Sequence, residues 1–441
     1  MSDKSNAQIV KVREFALLLN GGDKSDVDCH SITSKAFEWL LVNGQSSNEK
    51  AVELVKVRKY GKAVALQVVN YVGVLETPCG MRIEILPKVS EQANALEAKK
   101  ILLKMLSTVN KLPLQQFEQS ALQTLKQPLY EILIGYFLRE VSKLVKRGIR
   151  SEYQIVNDRK PYLKGKLQTA KQIRQRPGCQ NKFHVSYDQF STDRAENRLI
   201  KSALVQVMKW TKSNENHRIG RELQFALDDI PVSTNHVTDF RKWSTDRALV
   251  HYRGVKPWCE LILSYQSPIA LSGSHKGISF LFPMEILFER YVAIKLQEQL
   301  PADFTLKSQA SSQSLVQHCP PNSNNVEGWF KLKPDIQICN KATKAVVCIA
   351  DTKWKRIYSA DSCSTKKYNI SQSDMYQLFA YGEKFLNGQG ILLLIYPKHG
   401  GFTEGLAPFK YKEGLNLHAV PYDLMDDSCD IQLTELEGEI R

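Results

Sequence analysis

The sequence predicts an α/β chain in which a mixed-sheet C-terminal domain follows a small α+β N-terminal domain and a largely helical middle region. Three observations carry this. The 441 residues amount to about three ordinary domain lengths. Hydrophobic residues at 43% and charged residues at 24% describe a globular chain, not a disordered or fibrous one. The apolar pattern also changes period along the chain, which divides it into residues 1–112, 113–270 and 271–441.

In residues 1–112, Ile9–Leu19 is a candidate strand and Thr33–Leu41 a short helix. Ala51–Val57 and Val64–Val74 look like paired strands, and Met81–Leu86 is another, closed by Pro87. Asn43–Lys50 reads as an exposed loop, and Ala93–Leu106 has helical spacing with lysines at its polar edge. In residues 113–270, Leu122–Val145 is a long helix ended by Gly148; helices follow at Arg194–Trp210, Ile219–Leu227 and Leu249–Leu263. In residues 271–441, Pro283–Leu296 is an amphipathic helix carrying Glu285, Glu289 and Arg290, and the polar stretch Ser308–Glu327 reads as a surface excursion. Trp329–Cys339 is then a strand, Asn340–Lys344 a turn, Ala345–Lys355 a strand and Gln372–Leu386 a helix. Ile391–Tyr396 is a strand stopped by Pro397, and His418–Tyr422 offers one more.

Several classes drop out. The N-terminus lacks the apolar core of a secretory signal. The longest apolar runs, Leu129–Leu138 and Ile391–Tyr396, fall far short of the roughly 20 residues that span a bilayer. Nine scattered cysteines without a Cys-x-x-Cys pair fit a reducing cytoplasm and argue against a disulfide framework or zinc ribbon. No Gly-rich Lys-Ser/Thr loop is present, so no nucleotide is expected on this chain itself.

The charge is unevenly placed. The chain carries a formal +14, and residues 139–182 hold thirteen Lys/Arg against three Asp/Glu. Clustered cations of this kind suit a polyanion or an acidic partner surface. The candidates are Arg147, Arg150, Arg159, Lys160, Lys164, Lys166, Lys171, Arg174, Arg176 and Lys182; the alternative is a solvated face that only aids solubility.

One constellation carries chemistry. Lys333-Pro334-Asp335-Ile336 lies on the first C-terminal strand, and a turn later the second strand delivers Asp351-Thr352-Lys353. Strand side chains alternate faces, so Asp351 and Lys353 point the same way, about 6–7 Å apart. If the strands pair through the short turn, Asp335 sits beside Asp351. Two carboxylates ending an apolar strand are costly unless offset. A divalent cation offsets them: Mg²⁺ prefers oxygen ligands and pairs naturally with carboxylates and a phosphate. Lys353 then orients or deprotonates water, or stabilises charge on phosphorus. Glu289 offers a third carboxylate to the metal, with a solvated helix position as the alternative. Gln377 and Tyr381 share one helix face and can support the site or simply pack. For the acid pair, the alternative is a sheet-edge ion pair between Asp351 and Lys353.

Pro334-Asp335 followed by Asp351-Thr352-Lys353 resembles the core of the PD-(D/E)xK nuclease superfamily. Ser373-Asp374-Met375-Tyr376-Gln377-Leu378-Phe379-Ala380-Tyr381 is similar to a helix segment of its McrC branch. Tyr71–Val74, Ile83–Lys88, Leu163–Lys166, Asn197–Leu204 and Phe282–Val292 are similar to further segments of that family, in the same order. The resemblance implies a restriction-endonuclease-like C-terminal domain that cuts double-stranded DNA with Mg²⁺ or Mn²⁺. Asp335, Asp351, Lys353 and Glu289 would be its catalytic residues, the three acids its metal ligands, and Gln377 and Tyr381 its support. It also implies that the N-terminal part docks on an McrB-like AAA+ GTPase ring and stimulates it, in a system directed at 5-methylcytosine-type modification. A stand-alone DNA nuclease of repair or phage defence, and a non-catalytic DNA-binding scaffold, remain as alternatives.

Overall fold

Backbone reversals at Phe15 and Asn70, both at positive φ (63° and 33°), decide how the N-terminal segment is laid out. The computed structural model describes residues 9–45, 53–88, 95–112, 125–176, 178, 181–244, 246–264, 279–310, 313–320 and 325–429. At Phe15 the run expected as one strand breaks into β1 (Ile9–Arg13) and β2 (Leu17–Asn20), which join different sheets. β3 (Cys29–Ile32) pairs parallel with β2. Helix α1 (Ser34–Asn43) is capped by the Thr33 hydroxyl, which accepts from the Ala36 amide. The second reversal divides Val64–Val74: β4 (Val55–Tyr60) and β5 (Ala63–Val68) stay with β2, whereas β6 (Tyr71–Glu76) crosses to pair with β7 (Arg82–Leu86) beside β1. Helix α2 (Ala95–Val109) packs on β7. Val12, Leu18, Phe37, Leu66 and Ile83 share one apolar core between these elements. Ala51, Val52, Ala93, Asn94 and most of the expected loop Asn43–Lys50 lie outside the described residues.

Among the described residues the chain divides into two compact units, one combining 9–112, 125–126 and 279–429, the other holding 127–264. In the second, the first helix, α3 (Leu129–Arg147), starts directly after Pro128 and not at Leu122, whose neighbourhood 122–124 is outside the described residues. A proline has no amide to continue a helix inward but sits well at its entrance. The helix ends at Gly148 (φ 98°), as expected.

The expectation of a largely helical middle region is incomplete. β8 (Glu152–Lys160) and β10 (Phe183–Ser191) form a nine-residue antiparallel ladder, with β9 (Lys166–Leu167) on the far edge of β10 and the short helix α4 (Thr169–Ile173) between. Gly165 (φ 72°) makes this possible, because a Cβ there would meet the Ser186 carbonyl oxygen at 2.4 Å. The helices α5 (Ala195–Trp210), α6 (Asn214–Ala226), α7 (His236–Lys242) and α8 (Lys256–Ser264) follow. The last expected helix, Leu249–Leu263, is divided into a 3₁₀ turn, Arg247–Tyr252, and α8.

β11 (Ser279–Pro283) returns to the first unit by pairing with β6. Its approach requires Gly73 (φ 128°), where a Cβ would lie 1.8 Å from the Phe280 carbonyl oxygen. Helix α9 (Met284–Gln299) follows, then β12 (Phe304–Ser308), β13 (Gln313–His318) and β14 (Glu327–Leu332). β13 and β14 make their own two-stranded, mostly exposed sheet, so the expected strand Trp329–Cys339 is really two, interrupted at Lys333-Pro334-Asp335. β15 (Ile336–Asn340), β16 (Val346–Thr352), helix α10 (Gln372–Phe385), β17 (Gly390–Pro397), β18 (Phe409–Lys412), β19 (Leu415–Asp423) and β20 (Ser428–Cys429) complete the chain. The main sheet runs β12-β15-β16-β17-β19-β18, with β20 on β19. β16, β17 and β19 are parallel and the other pairings antiparallel, so the sheet is mixed. Ile349, Leu392, Leu394 and Leu417 pack under Leu378 and Tyr381 of α10. Cys348, Ala350, Leu393 and Ile395, which alternate with them, are buried as well, so both faces of the central strands are covered, which explains their continuous apolar runs.

Candidate active site

The β15–β16 ladder pairs Ile336 with Ala350, so one step further Asp335 stands opposite Asp351. Residues directly opposed on antiparallel strands project to the same face with Cβ atoms roughly 4.5–5.5 Å apart. The interruption at Pro334 frees Asp335 from β14 and delivers it to the mouth of this pair. Its Oδ2 accepts from the Thr352 amide (2.8 Å) and the Thr352 hydroxyl (3.0 Å).

Asp351 is 1% exposed, and its Oδ2 meets the Lys353 ammonium at 2.5 Å with no further hydrogen-bond donor. Burial, then the neighbouring Asp335 charge, push the Asp351 carboxyl up to about 7 against the pull of Lys353. Burial draws the Lys353 ammonium down, but its ion pair with Asp351 outweighs this and the net shift is upward. Lys353 therefore stays charged.

The two helices supply the surroundings. From α10, Gln377 Oε1 accepts from Lys353 Nζ (3.4 Å). Gln377 Nε2 donates to the Tyr381 hydroxyl (2.7 Å), which itself donates to the Lys333 carbonyl (3.2 Å). This relay returns from the lysine to the strand break that presents Asp335. From α9, Glu289 is half-buried, and its pKa is raised by burial and by the charge of Asp335. Its Oε1 accepts from Gln309 Nε2 (2.6 Å), while the Gln309 amide donates to the Asp335 carbonyl (3.0 Å). Gln309, at φ 50°, links the two carboxylate-bearing segments; it falls in the stretch expected to be a surface excursion, and no pattern in the sequence singles it out.

The donor set bears on a metal. Asp335 and Asp351 form an oxygen pair on one face, and the second has a buried oxygen satisfied only by an ammonium. This fits Mg²⁺, which commonly uses one or two carboxylates and completes its shell with water and phosphate. The expectation of three acidic ligands is not met in the geometry. Among the described residues no three His, Cys, Asp or Glu side chains come together to hold a metal, and an oxygen of Glu289 is held by Gln309.

The basic candidates all lie in the other unit. Nine of the ten are exposed and Lys160, half-buried, pairs with Asp158 at 3.0 Å. Arg159, Lys171, Arg174 and Arg176, with Gln175 and His184, line an open cavity of about 330 Å³. Lys164 lies over the Tyr187 ring (4.1 Å), Lys166 is on β9, Arg147 ends α3 and Arg150 follows it. Lys182 precedes β10. Cys29, Cys79, Cys259, Cys339, Cys348 and Cys363 are free thiols, and among the described residues no helix is long and apolar enough to cross a membrane.

Fold and site together define a mixed α/β chain with a partly buried acid–lysine cluster at the end of its central sheet. The family model for the McrBC 5-methylcytosine restriction system component matches residues 66–397. The chain belongs to that family. It is 26% identical over 339 residues to the type IV methyl-directed restriction enzyme EcoKMcrBC of Escherichia coli K12, covering 71% of this chain and 93% of the relative. Its fold is similar to a chain in the assembly of Thermococcus gammatolerans McrB AAA+ hexamers with bound McrC. That match has TM-score 0.64 and 19% identity, with 97% of this chain and 98% of the other covered.

Proposed function

We propose that the chain is the Mg²⁺-dependent DNA endonuclease subunit of an McrBC-type restriction system, with a PD-(D/E)xK centre formed by Asp335, Asp351 and Lys353. The observation that carries this reading is the cross-strand alignment of Asp335 with a buried Asp351 whose Oδ2 meets only the Lys353 ammonium. An apolar sheet end does not hold two acids without a cationic counterpart, and a lysine alone balances one of them.

Asp335 and Asp351 would hold the cation, Mg²⁺ or Mn²⁺. When bound, it supplies charge neutralisation at the scissile phosphate and acidifies water. The residues themselves do the rest. Thr352 fixes one oxygen of Asp335, which leaves the other to face the site. Lys353 brings a positive charge beside the developing negative charge on phosphorus, where a preorganised cation stabilises the transition state most. The Gln377–Tyr381 relay limits the rotamers open to Lys353. Glu289 acts on Asp335 electrostatically and is held in place by Gln309.

The partner of this reading is an McrB-like AAA+ GTPase ring, supported by the fold's likeness to a chain from an assembly of McrB hexamers with bound McrC. Double-stranded DNA is the substrate, and the exposed cations of residues 147–182 face either it or the ring. The test is plasmid cleavage by the purified chain with Mg²⁺, with and without the AAA+ partner and GTP, on methylated and unmethylated DNA. Cleavage only with partner, GTP and metal is expected. Cleavage without the partner supports a stand-alone nuclease, and no cleavage under any condition supports a scaffold.

A further inference from the structure

Glu14 lies far from the acid pair in sequence and is 0% exposed, in the reversal between β1 and β2. Its own amide donates to the Leu86 carbonyl (2.9 Å). Its Oε2 accepts from the Lys88 amide (3.1 Å) and from the indole Nε1 of Trp354 (3.0 Å), while Oε1 has no hydrogen-bond partner. Trp354 directly follows Lys353, is 8% exposed, and packs against Phe288 of α9 with ring centroids 5.2 Å apart.

The surrounding bonds all act on the segment that leaves the sheet at Lys353. The Lys353 amide donates to the Ile395 carbonyl (2.9 Å), the Lys355 amide folds back to the Lys353 carbonyl (2.9 Å), and Arg356 donates to the Lys88 carbonyl (3.0 Å). The backbone at Lys353 is therefore fixed on one side by β17 and on the other by an indole that Glu14 holds. The charged groups felt by the Glu14 carboxyl are Glu285 of α9 and Arg356. Burial leaves this acid neutral, so a group with the same shape and a carbonyl acceptor can do its work.

We infer that Glu14 is a positioning residue for Lys353, acting through the Trp354 indole. The role rests on the nuclease reading and extends it: the N-terminal segment takes part in building the candidate centre. A buried carboxyl with an unsatisfied oxygen is costly, and apolar packing alone would not need it.

The test uses the full chain with its AAA+ partner, DNA and Mg²⁺. Glu14→Ala is expected to lower turnover about tenfold, the lower end of what loss of an outer-shell partner costs, with apparent DNA affinity unchanged. Glu14→Gln keeps the acceptor and is expected to restore most of the turnover. Trp354→Phe keeps the packing but loses the donor, so it should show the Glu14→Ala loss, and the double variant should be no worse than either single change. In chain labelled with 5-fluorotryptophan, the ¹⁹F resonance missing in Trp354→Phe should move in Glu14→Ala and stay in Glu14→Gln. Multiplying losses in the double variant, full turnover in Trp354→Phe, or an unmoved resonance would each overturn the inference. If Glu14→Ala does not fold, Trp354→Phe and Glu14→Gln still decide it. A wild-type complex that does not cut removes the nuclease reading and this role with it; the fluorine arm, which needs no cleavage, separates that outcome from a failed Glu14–Trp354 link.

Discussion

In the sheet β8-β10-β9 the outward face leaves Tyr153 73%, Ile155 73% and Phe190 64% exposed among lysines and arginines, whereas at the end of the main sheet Asp351 is 1% exposed. The first sheet keeps its charges in water, where each costs little and interacts weakly. The second removes the Asp351 carboxylate from solvent almost completely and shields Asp335 and Lys353 in part, where every charge needs a partner. Exposed cations recognise a polyanion by number, so any one of them is replaceable. In the proposed centre the partly buried cluster works by position, so exchange of any member is expected to cost activity.

Changes at the buried cluster should therefore have the largest effects. Lys353→Ala is expected to cut DNA cleavage about a hundredfold or more, as for loss of a preorganised electrostatic group, in a single-turnover assay with the AAA+ partner. Equal activity would make Lys353 a mere counter-ion. Gln377→Ala leaves the charges in place and frees only the lysine's support, so a loss of about tenfold is expected in the same assay.

How much of this contrast the sequence reveals depends on whether a pattern is local. Asp335, Asp351 and Lys353 are legible because an apolar run, a short turn and the strand period place them together. The β8–β10 ladder is not, because its alternation points Tyr153 and Ile155 outward and gives no buried stripe to recognise. The strand break at Pro334 follows from the proline itself, since proline interrupts a ladder, although the apolar run on both sides of it reads as one strand. Gln309 and Glu14 carry no local signal: their partners lie 20 and 340 residues away, and only the folded register brings them in.

A pH test sharpens the comparison from the stability side. Burial, opposed by the bonds from Lys88 and Trp354, pushes the Glu14 carboxyl from 4.5 to about 8. Between these values the folded chain keeps a proton that the unfolded chain releases. The stability belonging to this group is therefore complete below about pH 4.5 and is lost as pH rises towards 8, by roughly 3–5 kcal/mol. Glu14→Gln should flatten that part of the profile, measured as urea midpoints at pH 5 and pH 8. Parallel profiles for the two proteins would contradict it.

The smallest effects belong to the exposed cations beside the β8-β10-β9 sheet. Replacing Lys171, Arg174 and Arg176 together by Ala should weaken duplex binding modestly if this face meets DNA. The salt slope should then fall by about one for each phosphate that is no longer neutralised. An unchanged slope with weaker binding to the AAA+ partner assigns the face to the ring.

Two carboxylates sharing one cation are the centre of the proposed chemistry, so the most direct measurement is cleavage by Asp351→Asn in the assembled system with Mg²⁺, beside Mn²⁺ binding followed by electron paramagnetic resonance. Loss of both cutting and the Mn²⁺ signal, in a variant that still folds and still stimulates GTP hydrolysis by the ring, is the predicted result. A variant that cuts like the parent, or binds Mn²⁺ as the parent does, would contradict the assignment of this site.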